Sequence, residues 1–197
     1  MIEEYKLFST PLFISQYTEF DINIVKDLFY DIEKNDTNPW EYCKGSYSSF
    51  NKEKSNQILE FEQCNDLKKH INNLIANINE RLGIPNNFFL KESWFTINRA
   101  HSFHGVHNHN PSLWSGVFYV TADENASAIT FINDNLNTNW PYAGKISKPS
   151  ELTSSGSTFK VQTNDLIIFP GWLKHKMEYH TADTERITIA FNYSNIG

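Results

Sequence analysis

Residues 94–120 read WFTINRAHSFHGVHNHNPSLWSGVFYV and carry four of the chain's seven histidines: His101, His104, His107 and His109. Apolar residues at both ends predict a strand leading in, Trp94–Asn98, and another leading out, Ser115–Val120. His107 and His109 are separated by one residue. In extended backbone that spacing puts both imidazoles on one face. Two imidazoles on one face, joined by a third from elsewhere, can hold a divalent metal. The candidate third is His175, in PGWLKH, at the mouth of another strand-like segment. The plainer alternative is that these histidines are ordinary surface or half-buried polar residues.

Outward from this stretch, the chain changes period at Pro85. After it, short extended segments recur at Phe88–Lys91, Trp94–Asn98, Ser115–Val120, Ser127–Phe131, Thr158–Val161, Leu166–Phe169, His175–Tyr179 and Ile187–Phe191. Turn-like breaks fall at 122–125, 133–139, 153–156 and 170–171. Many short strands with such breaks indicate a sandwich or barrel. Before Pro85 the pattern is helical. Ile24, Val25, Leu28, Phe29 and Ile32 recur at helical spacing over 21–33, with Asp21 placed to cap. Leu67, Ile71, Leu74, Ile75, Ile78 and Leu82 form one face over 65–82, with Asn65 as the expected cap and Gly83 then Pro85 as the stop. His70 beside that face reads as structural or exposed. Tyr5–Gln16, interrupted by Pro11, reads as an edge strand. Residues 35–54 read as an ordered, aromatic-bearing loop of the kind that covers sites. The organisation expected is a single domain, 1–197, with a helical support region over 1–85 and a β core over 86–197.

Composition narrows the classes. A net charge of -6 without a Lys/Arg block argues against broad nucleic-acid binding. Fifteen Phe and nine Tyr suit sheets and ligand cavities. The two cysteines, Cys43 and Cys64, make no CxxC. A reducing compartment is the simplest reading, and one disulfide between them stays open. The acidic start MIEEYKLF is unlike a signal peptide, and no apolar run reaches membrane-spanning length. A soluble, cytoplasmic protein is expected, with its oligomeric state unread. No Walker motif, Rossmann glycine fingerprint or Gly-x-Ser-x-Gly elbow occurs.

The segments HNHNPSLWSGVFYV, ITFIND, NDLIIFPGWLKHKMEYH and ERITIAFN, in that order, resemble the 2-oxoglutarate and Fe(II)-dependent oxygenases. More narrowly they look like a small bacterial and phage branch with an HxHP-like segment before SGVYYV. Here Asn110 stands between the second histidine and Pro111. The opening TPLF is similar to that branch's start. The resemblance covers mainly 94–192. It implies a mainly β double-stranded β-helix, a cupin-like jelly roll, with the N-terminal helices packed outside. It also implies Fe(II) and 2-oxoglutarate as cofactor and co-substrate, and an oxidoreductase that hydroxylates a small-molecule or side-chain substrate.

Carried over residue by residue, the resemblance makes His107 the first metal ligand and His175 the distal one. His109 stands where the family commonly has a carboxylate. Three neutral histidines leave the metal one charge more positive, yet still leave an open face for a keto acid and O₂. In the family an Arg about ten residues after the distal histidine, followed two positions on by Ser or Thr, holds the far carboxylate of 2-oxoglutarate. Arg186, eleven positions after His175, and Thr188 match. Period two puts Arg186, Thr188, Ala190 and Asn192 on one face. Arg186 has two other readings: pairing with Glu185, or pointing outward. Asn98 is counted with Arg186 and Thr188 as a candidate cofactor contact. Trp94, Trp114, Tyr119 and Phe131 line the cavity or pack in the core.

The remaining histidines have their own alternatives. His101 and His104, in an expected loop, either line or rim the mouth or join His107 in a zinc site. His180, five positions after His175, has a zinc-module spacing but no Cys pair nearby. Two rival functions stand beside the oxygenase reading. One is a three-histidine cupin-like dioxygenase or isomerase that uses no keto acid, motivated by His109. The other is a non-catalytic jelly-roll binding module.

Overall fold

The computed structural model describes residues 9–36, 46–50, 52, 57–134, 147–148, 150 and 153–196. Chain order begins with β1 (Phe13–Gln16), α1 (Ile22–Asn35) and β2 (Tyr47–Ser48). Two 3₁₀ turns (Ile58–Glu60, Glu62–Cys64) then lead into α2 (Asn65–Leu82). The rest is strand: β3 (Phe88–Asn98), β4 (His104–His107), β5 (Trp114–Thr121), β6 (Ile129–Ile132) and β7 (Gly156–Phe159). β8 (Asp165–Pro170), β9 (His175–Met177) and β10 (Arg186–Asn195) complete it.

The strands form two sheets, a six-stranded one ordered β1-β8-β5-β10-β3-β2 and a four-stranded one ordered β4-β9-β6-β7. All the strand pairings are antiparallel. Among the described residues no strand pairing closes the two sheets into a barrel. β1 and β2 are the two edges of the larger sheet, so the N-terminal region supplies strands as well as helices. The expectation of a mainly β chain is therefore corrected to a mixed one, with the helices forming a layer of their own.

Period two divides the large sheet cleanly. Phe95 and Ile97 on β3, Phe118 and Val120 on β5, and Ile187, Ile189 and Phe191 on β10 face the helices. There they meet Val25 and Phe29 of α1 and Leu67, Ile71, Ile75 and Ile78 of α2. Phe29 stacks on Phe95 with centroids 4.0 Å apart. The opposite parity, Tyr119, Ile167 and Phe169, meets Ile129 and Phe131 of the small sheet in a second core. Burying each such side chain contributes roughly 1.5–3 kcal/mol.

Asp21 caps α1 as expected, accepting from the Asn23 N–H at 3.0 Å. Gly83 ends α2 at φ 69°, a left-handed turn that glycine adopts without a Cβ clash. Asn65 does not cap α2. Cys64 holds that position with no side-chain cap bond, because the preceding 3₁₀ turns already carry the backbone into the helix. Ile24 and Leu82, read as part of the apolar stripes, are exposed at 52% and 46%.

Two expected strands, 88–91 and 94–98, are one continuous β3. The polar pair between them is absorbed by specific partners. The Ser93 hydroxyl accepts from the Leu59 N–H at 3.0 Å, and Glu92 accepts from Asn192 Nδ2 at 2.7 Å. Cys64 is buried and free; Cys43, most of the 35–54 loop, the start of the 5–16 segment and most of the 133–139 turn lie outside the described residues. Among the described residues no helix is long and apolar enough to cross a membrane.

Candidate metal centre and cavity

β4 pairs with β9 so that His107 lies directly opposite His175. His109 follows in the turn after β4. Its N–H donates to the Gly171 carbonyl at 2.7 Å, tying that turn to the loop between β8 and β9. Gly171 must be glycine here, since a Cβ would sit 2.2 Å from the Ser112 carbonyl oxygen. These contacts draw together side chains far apart in sequence. His107, His109 and His175 each offer a ring nitrogen, and these nitrogens all lie within 4.8 Å of one another.

The ring orientations suit a ligand role for two of the three. His107 Nδ1 is 2.9 Å from the Gly105 carbonyl, and His175 Nδ1 is 3.0 Å from that of Leu173. A carbonyl only accepts, so Nδ1 carries the proton in both and Nε2 keeps its lone pair. His109 differs. Its Nδ1 lies 3.4 Å from Asn192 Nδ2, an amide that also donates to Glu92 and accepts from the Ser115 hydroxyl at 2.6 Å.

Burial, reinforced by the neighbouring imidazoles, lowers the pKa of His109 to about 3 and that of His175 to about 4. Burial also lowers His107, against the opposing pull of the Gly105 carbonyl. All three are thus neutral at pH 7 and able to donate to a metal.

The triad opens onto a cavity of about 260 Å³. Arg186 lies across it, only 5% exposed. Its Nη1 donates to Asn98 Oδ1 at 3.2 Å and to Met177 Sδ at 3.0 Å, and its Nη2 donates to the Tyr119 hydroxyl at 3.3 Å. The guanidinium carbon also sits 4.9 Å from the centre of the Tyr119 ring. Arg186 Nε is buried without a partner, and no carboxylate pairs with Arg186 among the described residues. The two rival readings of Arg186 fall here. It points inward, and Glu185 is engaged on the other side of the strand by Arg99 Nε at 2.9 Å and the Tyr30 hydroxyl at 2.5 Å. Arg99 also forms a two-pronged bond to Glu33 of α1 at 2.7 and 2.8 Å.

Thr188, Asn98, Trp94 and Tyr119 line the same cavity. Trp114 does not. It packs on the helix side against Phe13, and its Nε1 donates to Asn79 Oδ1 at 2.8 Å. Phe131 is buried between the sheets, stacked edge-on against Phe169 behind His175.

His101 is exposed and bonded to the Tyr179 hydroxyl at 2.8 Å, outside the metal cluster. His180 is wholly buried, between the Ser127 N–H and the Thr184 carbonyl, which is a structural role. His104 lines the cavity, one of the places expected for it, but the loop expected around it is a strand. It begins strand β4 rather than sitting in a loop, and its ring lies 3.9 Å from that of His107. Burial and the nearby His107, His175 and Arg186 lower its pKa to about 3. The glycine inside HGVH was the available signal, since an isolated glycine in a strand often marks a bulge.

Three imidazoles and a buried guanidinium that pairs with no carboxylate among the described residues line one cavity. Residues 92–192, just over half of the chain, match the family described as "Putative 2OG-Fe(II) oxygenase", and the chain belongs to it. No curated protein matches the sequence.

Solved structures share the fold. HygX from Streptomyces hygroscopicus, with nickel and 2-oxoglutarate bound, is similar at TM-score 0.62 and 12% identity, over 94% of this chain and 83% of its own. The non-heme alpha ketoglutarate dependent epimerase SnoN from nogalamycin biosynthesis is similar at TM-score 0.65 and 11% identity, over 94% and 77%. A prolyl-4-hydroxylase of Pseudomonas putida is similar at TM-score 0.57 and 16% identity, over 93% of each chain. The two-sheet arrangement is thus that of the double-stranded β-helix.

Proposed function

We propose that the protein is a 2-oxoglutarate- and Fe(II)-dependent dioxygenase that hydroxylates a small molecule or a side chain. One observation carries this reading: Arg186 is a buried guanidinium with no carboxylate partner among the described residues, set across a cavity from three neutral imidazoles. An unpaired buried charge is costly, so a site that keeps one is built for an anion that arrives with the ligand. The donor set fits iron, for which imidazole is an ordinary ligand.

His107, His109 and His175 would hold the metal. Arg186, with Thr188 and Asn98 beside it, would hold the far carboxylate of the keto acid. When bound, iron and keto acid together supply the oxidative decarboxylation that is coupled to hydroxylation of a C–H bond. The chain's own work is positioning. Gly105 and Leu173 fix the tautomers of His107 and His175 through their carbonyls. Asn98 and Tyr119 accept from Arg186 and hold its fork in place. Ile129, Phe169, Val117 and Trp94 line the walls and keep water out. Among the similar structures HygX is described with nickel and 2-oxoglutarate bound and, separately, with iron bound, which supports a metal with 2-oxoglutarate here.

Anaerobic titration of 2-oxoglutarate into the Fe(II)-loaded protein tests the reading. A metal-to-ligand charge-transfer band, with calorimetric binding, is the expected result. His175→Ala should lose most of its metal by elemental analysis. A second reading rests on the missing carboxylate: with His109 in its place, the site would belong to a three-histidine dioxygenase without a keto acid. Metal binding with neither band nor heat from 2-oxoglutarate would favour it.

A further inference from the structure

His104 and His107 are three positions apart, and in a regular strand they would face opposite sides of the sheet. Both instead line the cavity. The cause is a bulge. His104 pairs with Met177 and His107 with His175, so Gly105 and Val106 together stand opposite Lys176 alone. The extra residue is turned out, with Val106 exposed at 55%, and both histidines turn in. A bulge in so short a strand re-aims one side chain in particular, and that side chain is His104.

Its neighbours say where it sits. On one side its ring lies on His107, with centroids 3.9 Å apart and planes 22° from parallel. On the other, its cross-strand partner Met177 takes the 3.0 Å bond from Arg186 Nη1. His104 therefore occupies the wall between the metal cluster and the guanidinium. A dicarboxylate that reaches from one to the other passes along this wall. Ile129, Phe169 and Met177, which also line the cavity, offer no side-chain N–H. An imidazole carries at least one N–H in either protonation state.

We propose that His104 is a co-substrate contact, donating a hydrogen bond to the dicarboxylate held between the metal centre and Arg186. The inference rests on the functional reading above. The competing role is mechanical, a ring that braces His107, and the two predict opposite outcomes. His104→Phe keeps a flat ring and loses the donor. His104→Gln keeps a donor and loses the ring.

Binding of 2-oxoglutarate to anaerobic Fe(II) protein is measured by calorimetry, and Fe(II) affinity is measured separately without the keto acid. The contact role predicts that His104→Phe retains Fe(II) affinity but binds 2-oxoglutarate about tenfold or more weakly. His104→Gln should stay within a few-fold of wild type for both ligands. Equal 2-oxoglutarate affinity in His104→Phe and wild type overturns the proposal. So does a loss of Fe(II) by His104→Gln that His104→Phe does not share. Should either variant fail to fold by circular dichroism, the wild type decides. Its imidazole N–H proton resonances, recorded with Zn(II) in the site, must shift when 2-oxoglutarate is added, and no shift overturns the contact. If wild type itself binds no 2-oxoglutarate, the functional reading fails first, and that result is distinct from the others.

Discussion

The two faces of the large sheet are made by the same strands and obey opposite rules. On the helix side, β3 and β10 present Phe95, Ile97, Ile187 and Ile189, each with no measurable exposure. On the cavity side the alternate residues of those strands are Trp94, Thr96, Asn98, Arg186 and Thr188. Along these residues the first face is apolar and close-packed, and the charges at its end, Arg99, Glu185 and Glu33, are paired. The second carries a buried cation that has no counter-charge among the described residues. One residue of register separates them, so a slip of one position would exchange core and site. The packed face supplies the stability that lets the other keep an unfavourable arrangement.

The contrast can be broken most directly at Phe95. Phe95→Ala removes the ring stacked on Phe29 and should cost about 3–5 kcal/mol of unfolding free energy. Urea denaturation measures this, and the metal-binding stoichiometry of the folded fraction should not change. Arg186→Ala is the mirror experiment. It should weaken 2-oxoglutarate binding by about 2–5 kcal/mol. Stability should stay within about 1 kcal/mol of wild type, because lost packing is offset by removal of an unpaired buried charge. Arg186→Lys should restore only part of the binding, as an ammonium lacks the planar fork. An Arg186→Ala protein that unfolds would show that the cavity face is structural after all.

Smallest near neutral pH, and growing as the pH falls, is a slope. His175 titrates near 4 and His104 and His109 near 3 in the folded, metal-free protein, against 6.5 when unexposed to burial. Between 6.5 and those values the unfolded chain binds protons that the folded one does not. Stability of the metal-free protein should therefore be full above pH 6.5 and fall as pH drops toward 4 and then 3. Denaturation midpoints across a pH series give the slope. Phe95→Ala should lower the whole curve without altering it, since no titrating group is removed.

Sequence pattern made one of these faces far easier to read than the other. The apolar stripes of α1 and α2 and the alternation of β5 and β10 follow from burial, which acts on every residue of an element and so leaves a periodic trace. The triad and Arg186 were legible because their spacing and order resemble a family. His104 was not, because a bulge breaks the period that any reading of faces relies on. Trp114 was left open between cavity and core for a related reason. Its size suits either face, and only its parity with Phe118 and Val120 places it against Asn79. The single strand β3 was read as two because Glu92 and Ser93 look like a break until their partners Asn192 and Leu59 are known.

Glu185 and Arg186 are adjacent, oppositely charged and not paired. One points to each side, and Arg99 and Tyr30 keep Glu185 occupied there, with Glu33 holding Arg99 in turn. Two of those three residues belong to α1. The separation of Arg186 from the neighbouring carboxylate is thus not a portable property of the β scaffold. A graft that moved β10 and the histidines into another jelly roll, leaving α1 behind, would strip two residues from the cluster that occupies the neighbouring carboxylate. The helix and the guanidinium have to travel together.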